Sequence, residues 1–272
     1  MAQATVSAPR YPVPAGACDS HMHIVGPYEK YPLRETRSLN PPPATLDEYR
    51  LARDKLGLSR NVVVQPSVFA KDNECTLDAV GALKGTARAV VVVDATIAED
   101  ELARMHARGA RGVRVQNVVA GGASIDDMEA LAARIRPFGW HMQFFMDAAQ
   151  IAQLAPRFRK LPVPVVFDHM GHVDPAGSVD DPGFSALLDL LQSGKAWVKL
   201  SNCYWKPDPQ RARRLIAANP DRVLWGTDWP HLGYRDGTAD DGLLLDAVSE
   251  WTVDEDLRQR ILVSNPDALY FR

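Results

Sequence analysis

A single-domain (β/α)8 barrel is the architecture this sequence predicts, and three observations carry the prediction. The chain holds eight short, mostly apolar runs, each followed by a stretch of helical periodicity. The runs are apolar nearly throughout, as parallel strands covered on both faces are. No change of composition or charge marks a seam along the 272 residues, a length that suits one barrel. The competing doubly wound sheet lacks its usual signature, because no G-x-G-x-x-G follows the first strand.

Met1 to Pro14 is small, polar and proline-punctuated, with neither the apolar centre of a signal peptide nor the arginine-rich pattern of a transit peptide. It reads as a loose arm ahead of a barrel spanning residues 15–272. The first strand is Ala17 to Ile24. Alternation along it would put Asp19, His21 and His23 on one face and Ser20, Met22 and Ile24 on the other. Val25 to Pro43 contains Gly26-Pro27, Pro32 and Pro41-Pro42-Pro43, which excludes a regular helix and predicts a long loop. Thr45 or Asp47 can cap a helix that runs to about Leu56 and ends at Gly57. The β-branched run Asn61 to Pro66 is the second strand, stopped by its proline.

The unit then repeats. Helices around Thr76–Leu83, Glu99–Arg108, Ser124–Pro137 and Ala148–Phe158 precede strands at Ala87–Asp94, Gly112–Gln116, Trp140–Met146 and Val163–His169. Helices at Asp181–Gln192 and Pro209–Ala218 precede strands at Lys195–Ser201 and Arg222–Asp228. Gly242–Trp251 is the last full helix, and Ser264-Asn265-Pro266 reads as the start of a terminal one.

Composition narrows the function. A net charge of −3 gives no reason to expect nucleic acid or an anionic membrane as partner. No apolar run approaches the ~20 residues of a membrane helix. Three scattered cysteines, Cys18, Cys75 and Cys203, argue against a disulfide framework and for a reducing, cytoplasmic setting. Oligomeric state has no signature in one chain.

In a (β/α)8 barrel the chemistry gathers at the carboxyl ends of the strands. The first strand offers His21 and His23, the second Gln65 and Ser67, the third Asp94, the fourth Arg114 and Gln116. The fifth ends in Phe144-Phe145-Met146 and the sixth in Asp168-His169. The seventh ends in Ser201-Asn202-Cys203-Tyr204, the eighth in Gly226-Thr227-Asp228-Trp229-Pro230-His231. Three histidines and Asp228 therefore meet at one rim from distant parts of the chain. Taken alone, His21 and His23 could hold a metal, polarise a carbonyl, shuttle protons, or simply alternate in a half-exposed strand.

Asp-x-His-x-His on the first strand, Arg-Gly-Val-Arg on the fourth, Asp-His-Met-Gly on the sixth and Trp-Gly-Thr-Asp-Trp-Pro-His on the eighth resemble the amidohydrolase superfamily. They look most like its branch of 2-pyrone-4,6-dicarboxylate lactonases and galactarolactone isomerases. The resemblance runs from about Tyr11 to Phe271 and includes Asp72-Asn73, Thr76-Leu77 and Asn265-Pro266. It implies that Asp228 activates water while His21, His23 and His169 polarise the substrate carbonyl. A lactone hydrolase acting on a small carboxylate-bearing lactone is the expected function. Arg114 would bind that carboxylate, because a guanidinium pairs bidentately and stays charged, with Ser67, Tyr204 and His231 as further contacts.

Two departures qualify the resemblance. The arginines by which the dicarboxylate lactonases seat their substrate correspond here to Val118-Val119-Ala120-Gly121-Gly122 and Cys203-Tyr204-Trp205, so a second carboxylate lacks its cation. The isomerases lack the first histidine and replace the eighth-strand aspartate, both of which this chain keeps. No cofactor is expected, since the fifth strand carries no ligand at its far end and His141 sits at its start. The alternatives are one zinc on His21, His23, His169 and Asp228 in a hydrolase or decarboxylase, a galactarolactone-type isomerase, and a barrel that binds a small acid without turning it over.

Overall fold

The computed structural model describes residues 5–35, 37–116, 123–173, 180–201, 208–232, 239–252 and 254–272. Its strands are β1 (Cys18–Met22), β2 (Arg60–Val64), β3 (Ala87–Val91), β4 (Ala110–Gln116), β5 (His141–Phe145), β6 (Val165–Phe167), β7 (Ala196–Leu200) and β8 (Val223–Trp225). They pair in chain order and in parallel, so the eight form the expected barrel sheet. Backbone bonds carry the chain after β8 back to β1: Asp228 N–H donates to His21 O at 2.8 Å, and His23 N–H to Trp229 O at 2.8 Å. Gly226 permits that approach, since a Cβ there would lie 2.6 Å from the His21 nitrogen.

The surrounding helices are α1 (Leu46–Leu56), α2 (Glu74–Ala82), α3 (Glu99–Ala107), α4 (Met128–Ile135), α5 (Ala148–Lys160), α6 (Pro182–Gln192), α7 (Pro209–Ala218), α8 (Asp241–Thr252) and α9 (Glu255–Gln259). Their ends follow local chemistry. Thr45 and Glu48 form a capping box on α1, and Gly57 ends it in the left-handed region. Asp181 caps α6 and Asp208 caps α7. The segment ahead of β1, described from Thr5, lies along the start of α8. Thr5 N–H donates to Ala239 O, Ser7 to Asp240, and Arg10 to Asp246 at 2.7 Å.

The chain departs from expectation in two places. Ser264-Asn265-Pro266 does not start a helix but lies inside a continuous helical run from α9 to Phe271, wound wide at Arg260–Ser264 and Asp267–Phe271. The wide turn tolerates a residue without an N–H, and the Asn265 amide anchors the run by donating to Pro220 O and Val223 O. The strict alternation of β1 also fails. Its register slips between Asp19 and Met22, so Asp19 turns away from the histidines and accepts hydrogen bonds from Tyr49 of α1 and from Thr227.

Elsewhere alternation holds and builds the site's foundation. Val63, Val91, Val165 and Val198 face the core between strands and helices. Val62, Val90, Val166, Trp197 and Leu224 form a separate apolar cluster with Tyr270 from the closing helix, the floor inside the barrel. His141 belongs to this floor, edge-on to Tyr270 at 5.2 Å, and fits because residue 112 is glycine.

Candidate active site

One step above the floor the inward positions become polar. Asp168 lies two residues beyond Val166, Lys199 two beyond Trp197, and Arg114 pairs in register with Gln143. Asp168 is the hub. Its Oδ2 accepts from Arg114 Nε at 3.2 Å and Gln143 Nε2 at 3.0 Å, and its Oδ1 lies 3.2 Å from His21 Nδ1 and 3.5 Å from Lys199 Nζ. Lys199 also donates to Gln143 Oε1 at 2.6 Å. Burial opposes ionisation of Asp168, but His21, Lys199 and Arg114 outweigh it and hold the carboxyl well below its usual range. Burial brings the Lys199 amine down to about 8 against the pull of Asp168.

Above this layer stands the predicted cluster. His21 Nε2 lies 3.5 Å and His23 Nε2 3.3 Å from the same oxygen of Asp228. The His169 ring is 4.9 Å from His21, with Phe145 packed edge-on behind it and Nδ1 bonded to Ser201 Oγ at 2.9 Å. Burial works against a charged Asp228. Attraction to His169 and a hydrogen bond with His23 prevail, keeping the carboxyl below the ordinary range. Asp228 and His169 both have left-handed backbones, φ 65° and 53°, conformations that residues with side chains adopt chiefly where the surroundings impose them.

The remaining predicted residues fare unequally. Arg114 is buried, with its guanidinium 5.4 Å from the Phe145 ring centre, and its Nη atoms make no hydrogen bond among the described residues. Ser67 opens a short 3-10 turn directly after β2. His231 Nε2 lies 3.0 Å from Asp241 at the start of α8. Tyr204, like residues 118–122 and 203–205 where the resemblance loses its arginines, lies outside the described residues. Sequence reasoning missed Lys199 and Gln143. Both had a visible signal, a charged or amide side chain within an apolar strand.

His21, His23 and Asp228 offer two imidazole nitrogens and a carboxylate oxygen within 4.8 Å of one another, as do His21, Asp168 and His169. The first set suits one divalent ion provided both Nε2 atoms carry free lone pairs. In the second, Asp168 is already committed to Arg114 and Gln143.

These histidines give the fold an acid-sensitive signature. Burial lowers His169 to about 4 and the floor residue His141 to about 3, from an ordinary value of 6.5. The unfolded chain therefore binds more protons than the fold between about pH 6.5 and 4, and stability drops as pH falls through that window. Asp19, raised by burial to about 6, offsets part of this with the opposite sign. The urea midpoint is expected to be lower at pH 5 than at pH 7.5. A midpoint that holds or rises would show these histidines to be solvated.

An inward His and Asp cluster at the carboxyl ends of a (β/α)8 barrel, over a buried ion-pair layer, defines a barrel enzyme equipped to turn water on a carbonyl group. The chain belongs to the amidohydrolase family, whose profile matches residues 18–272. It is 36% identical over 288 residues to a 2-pyrone-4,6-dicarboxylate hydrolase of Comamonas testosteroni, covering 98% of this chain and 94% of that one. It is 36% identical over 276 residues to a 4-sulfomuconolactone hydrolase of Hydrogenophaga intermedia, covering 96% and 90%. A crystal structure of an Agrobacterium tumefaciens protein in its apo form superposes with a TM-score of 0.89 at 31% identity, over 97% of this chain and 99% of that one. Among the described residues no helix is long and apolar enough to cross a membrane.

Proposed function

We propose that the protein is a lactone hydrolase, acting in the cytoplasm on a small lactone that bears an anionic group. The observation that carries this is the convergence of His21 and His23 on one oxygen of an ionised Asp228. The relatives support it, since two of them are hydrolases of anionic lactones.

The proton positions of the cluster follow from its partners. His23 Nδ1 faces Val64 O at 2.8 Å, and a carbonyl only accepts, so Nδ1 carries the proton. His23 Nε2 then faces Asp228 at 3.3 Å, and the two line the place of the attacking water molecule. Asp228 takes one proton as the water oxygen bonds to the lactone carbonyl carbon. His21 and His169 flank the developing oxyanion as hydrogen-bond donors. Collapse of the tetrahedral intermediate breaks the ring C–O bond, and the leaving alkoxide recovers the proton from Asp228. The product is a hydroxy acid, which ionises and releases one proton to solvent.

Arg114 holds the substrate's anion through its Nη atoms, which make no hydrogen bond among the described residues, while Nε stays on Asp168. Ser67 and Tyr204 complete this anchor in our reading. A zinc ion, if bound, would be held by His21, His23 and Asp228 and would supply Lewis-acid polarisation of the carbonyl. We read the reaction as needing none, because β5 ends in Phe144-Phe145 and its only histidine, His141, lies in the floor.

A panel of carboxylated and sulfonated lactones, followed by proton release with a pH indicator, tests the reading. Steady acidification by at least one member is expected, and silence across the panel would reduce the protein to a binder. Replacing Arg114 with methionine is expected to raise KM at least tenfold for a carboxylated lactone, the loss of a charge-assisted pair worth about 1.5–3 kcal/mol. An unchanged KM would place the anion elsewhere.

A further inference from the structure

The lysine beneath the cluster takes no part in the hydrolytic step itself. Lys199 is wholly buried near the end of β7, one layer above the apolar cluster that fills the barrel. A buried ammonium is costly unless every proton finds an acceptor. Gln143 provides one, and its orientation is dictated: its amide NH2 donates to Asp168 Oδ2, so its oxygen faces the lysine. The next contact is His21 Nδ1, 3.3 Å from Nζ.

That contact decides the protonation of His21. Nδ1 has two neighbours, Lys199 Nζ at 3.3 Å and Asp168 Oδ1 at 3.2 Å. The lysine meets it with hydrogen-bond geometry, and Asp168 Oδ1, which also lies 3.5 Å from the lysine, is the competing partner. An ammonium only donates. Facing the lysine, Nδ1 accepts, which leaves the single proton of neutral His21 on Nε2, the atom directed at Asp228. His23 instead gives its Nδ1 proton to a carbonyl.

We propose that Lys199 is a positioning residue that locks His21 as the Nε2–H tautomer, making it the donor to the lactone oxyanion while Asp228 accepts the proton of water. One side of the cluster thereby gives a hydrogen bond and the other side receives one, the division that attack by water on a carbonyl requires. A protonated Nε2 also has no lone pair for a metal ion, so the same lysine biases His21 away from metal ligation. The role in catalysis rests on the lactonase reading, but the tautomer does not.

Nitrogen chemical shifts of histidine-labelled wild-type protein at neutral pH read the tautomer directly, without substrate, with the His21 signals assigned by their loss in His21→Gln. The expected result is a protonated Nε2 and an unprotonated Nδ1 at His21. The reverse pattern in the wild type overturns the proposal, whether or not any variant folds. In Lys199→Met the proton is expected to move to Nδ1, where Asp168 can accept it, with kcat about 100-fold lower and KM little changed. Lys199→Arg, which keeps a donor, should retain the wild-type tautomer. An unaltered tautomer in Lys199→Met would overturn the proposal even if kcat fell. A correct tautomer in a protein that opens no lactone would leave Lys199 its positioning role and remove the lactonase reading.

Discussion

Asp228→Asn is expected to lower kcat on a carboxylated lactone by about 1,000-fold, with KM within a few-fold of wild type. The size follows from what the change removes. Asparagine matches aspartate in shape and can still accept a hydrogen bond through its oxygen, but it cannot take a proton from water. The backbone makes asparagine the proper probe as well. Residue 228 has φ 65°, a left-handed conformation that asparagine adopts more readily than most residues, so the variant should fold. Alanine would mix strain with chemistry. Steady-state kinetics on the folded variant decide the matter, and a kcat near that of the wild type would take the base role from Asp228.

The second large effect concerns stability. Asp168→Asn leaves Lys199 and Arg114, both buried, without the carboxylate that neutralises them. Breaking a buried ion pair by removing one partner costs about 3–5 kcal/mol, more than most single substitutions. Urea denaturation near pH 7 should show a loss of that order. The double variant Asp168→Asn with Lys199→Met should regain part of it, since the orphaned ammonium is then gone. A loss of less than about 1 kcal/mol, the scale of an exposed pair, would mean that water reaches this layer and that the hub is no buried network.

The fold was legible because its signals are redundant. Apolar runs, capping residues and glycine stops agree from Thr45 to Gly57 and again at Asp181, and the helices there begin and end where the sequence places them. The rim was legible for the same reason, since strand ends in such a barrel must converge. The misreadings share a physical origin in non-local pairing. The slip in β1 that turns Asp19 towards Tyr49 depends on how β2 and the chain after β8 pair with it. Asn265-Pro266 resembles a helix start locally, yet its amide is recruited by Pro220 and Val223 to anchor the closing helix.

Lys199 and Gln143 show a different limit. Attention to strand ends passes over residues within the strands, where an apolar neighbourhood suggests core. The neighbourhood was itself the clue, because a lysine flanked by Val198 and Leu200 on an inner strand needs buried partners. Those partners, Gln143 and Asp168, come from β5 and the end of β6, and only the closed barrel brings them together.

The central claim is that this site adds water across a lactone ester bond. Ring opening in heavy-oxygen water, followed by mass spectrometry of the product, tests it most directly, with Asp228→Asn as the control for spontaneous hydrolysis. One heavy oxygen is expected in the newly formed carboxylate, at a rate that collapses in the variant. A product of unchanged mass, carrying no label and rearranged within the ring, would show isomerisation and contradict it.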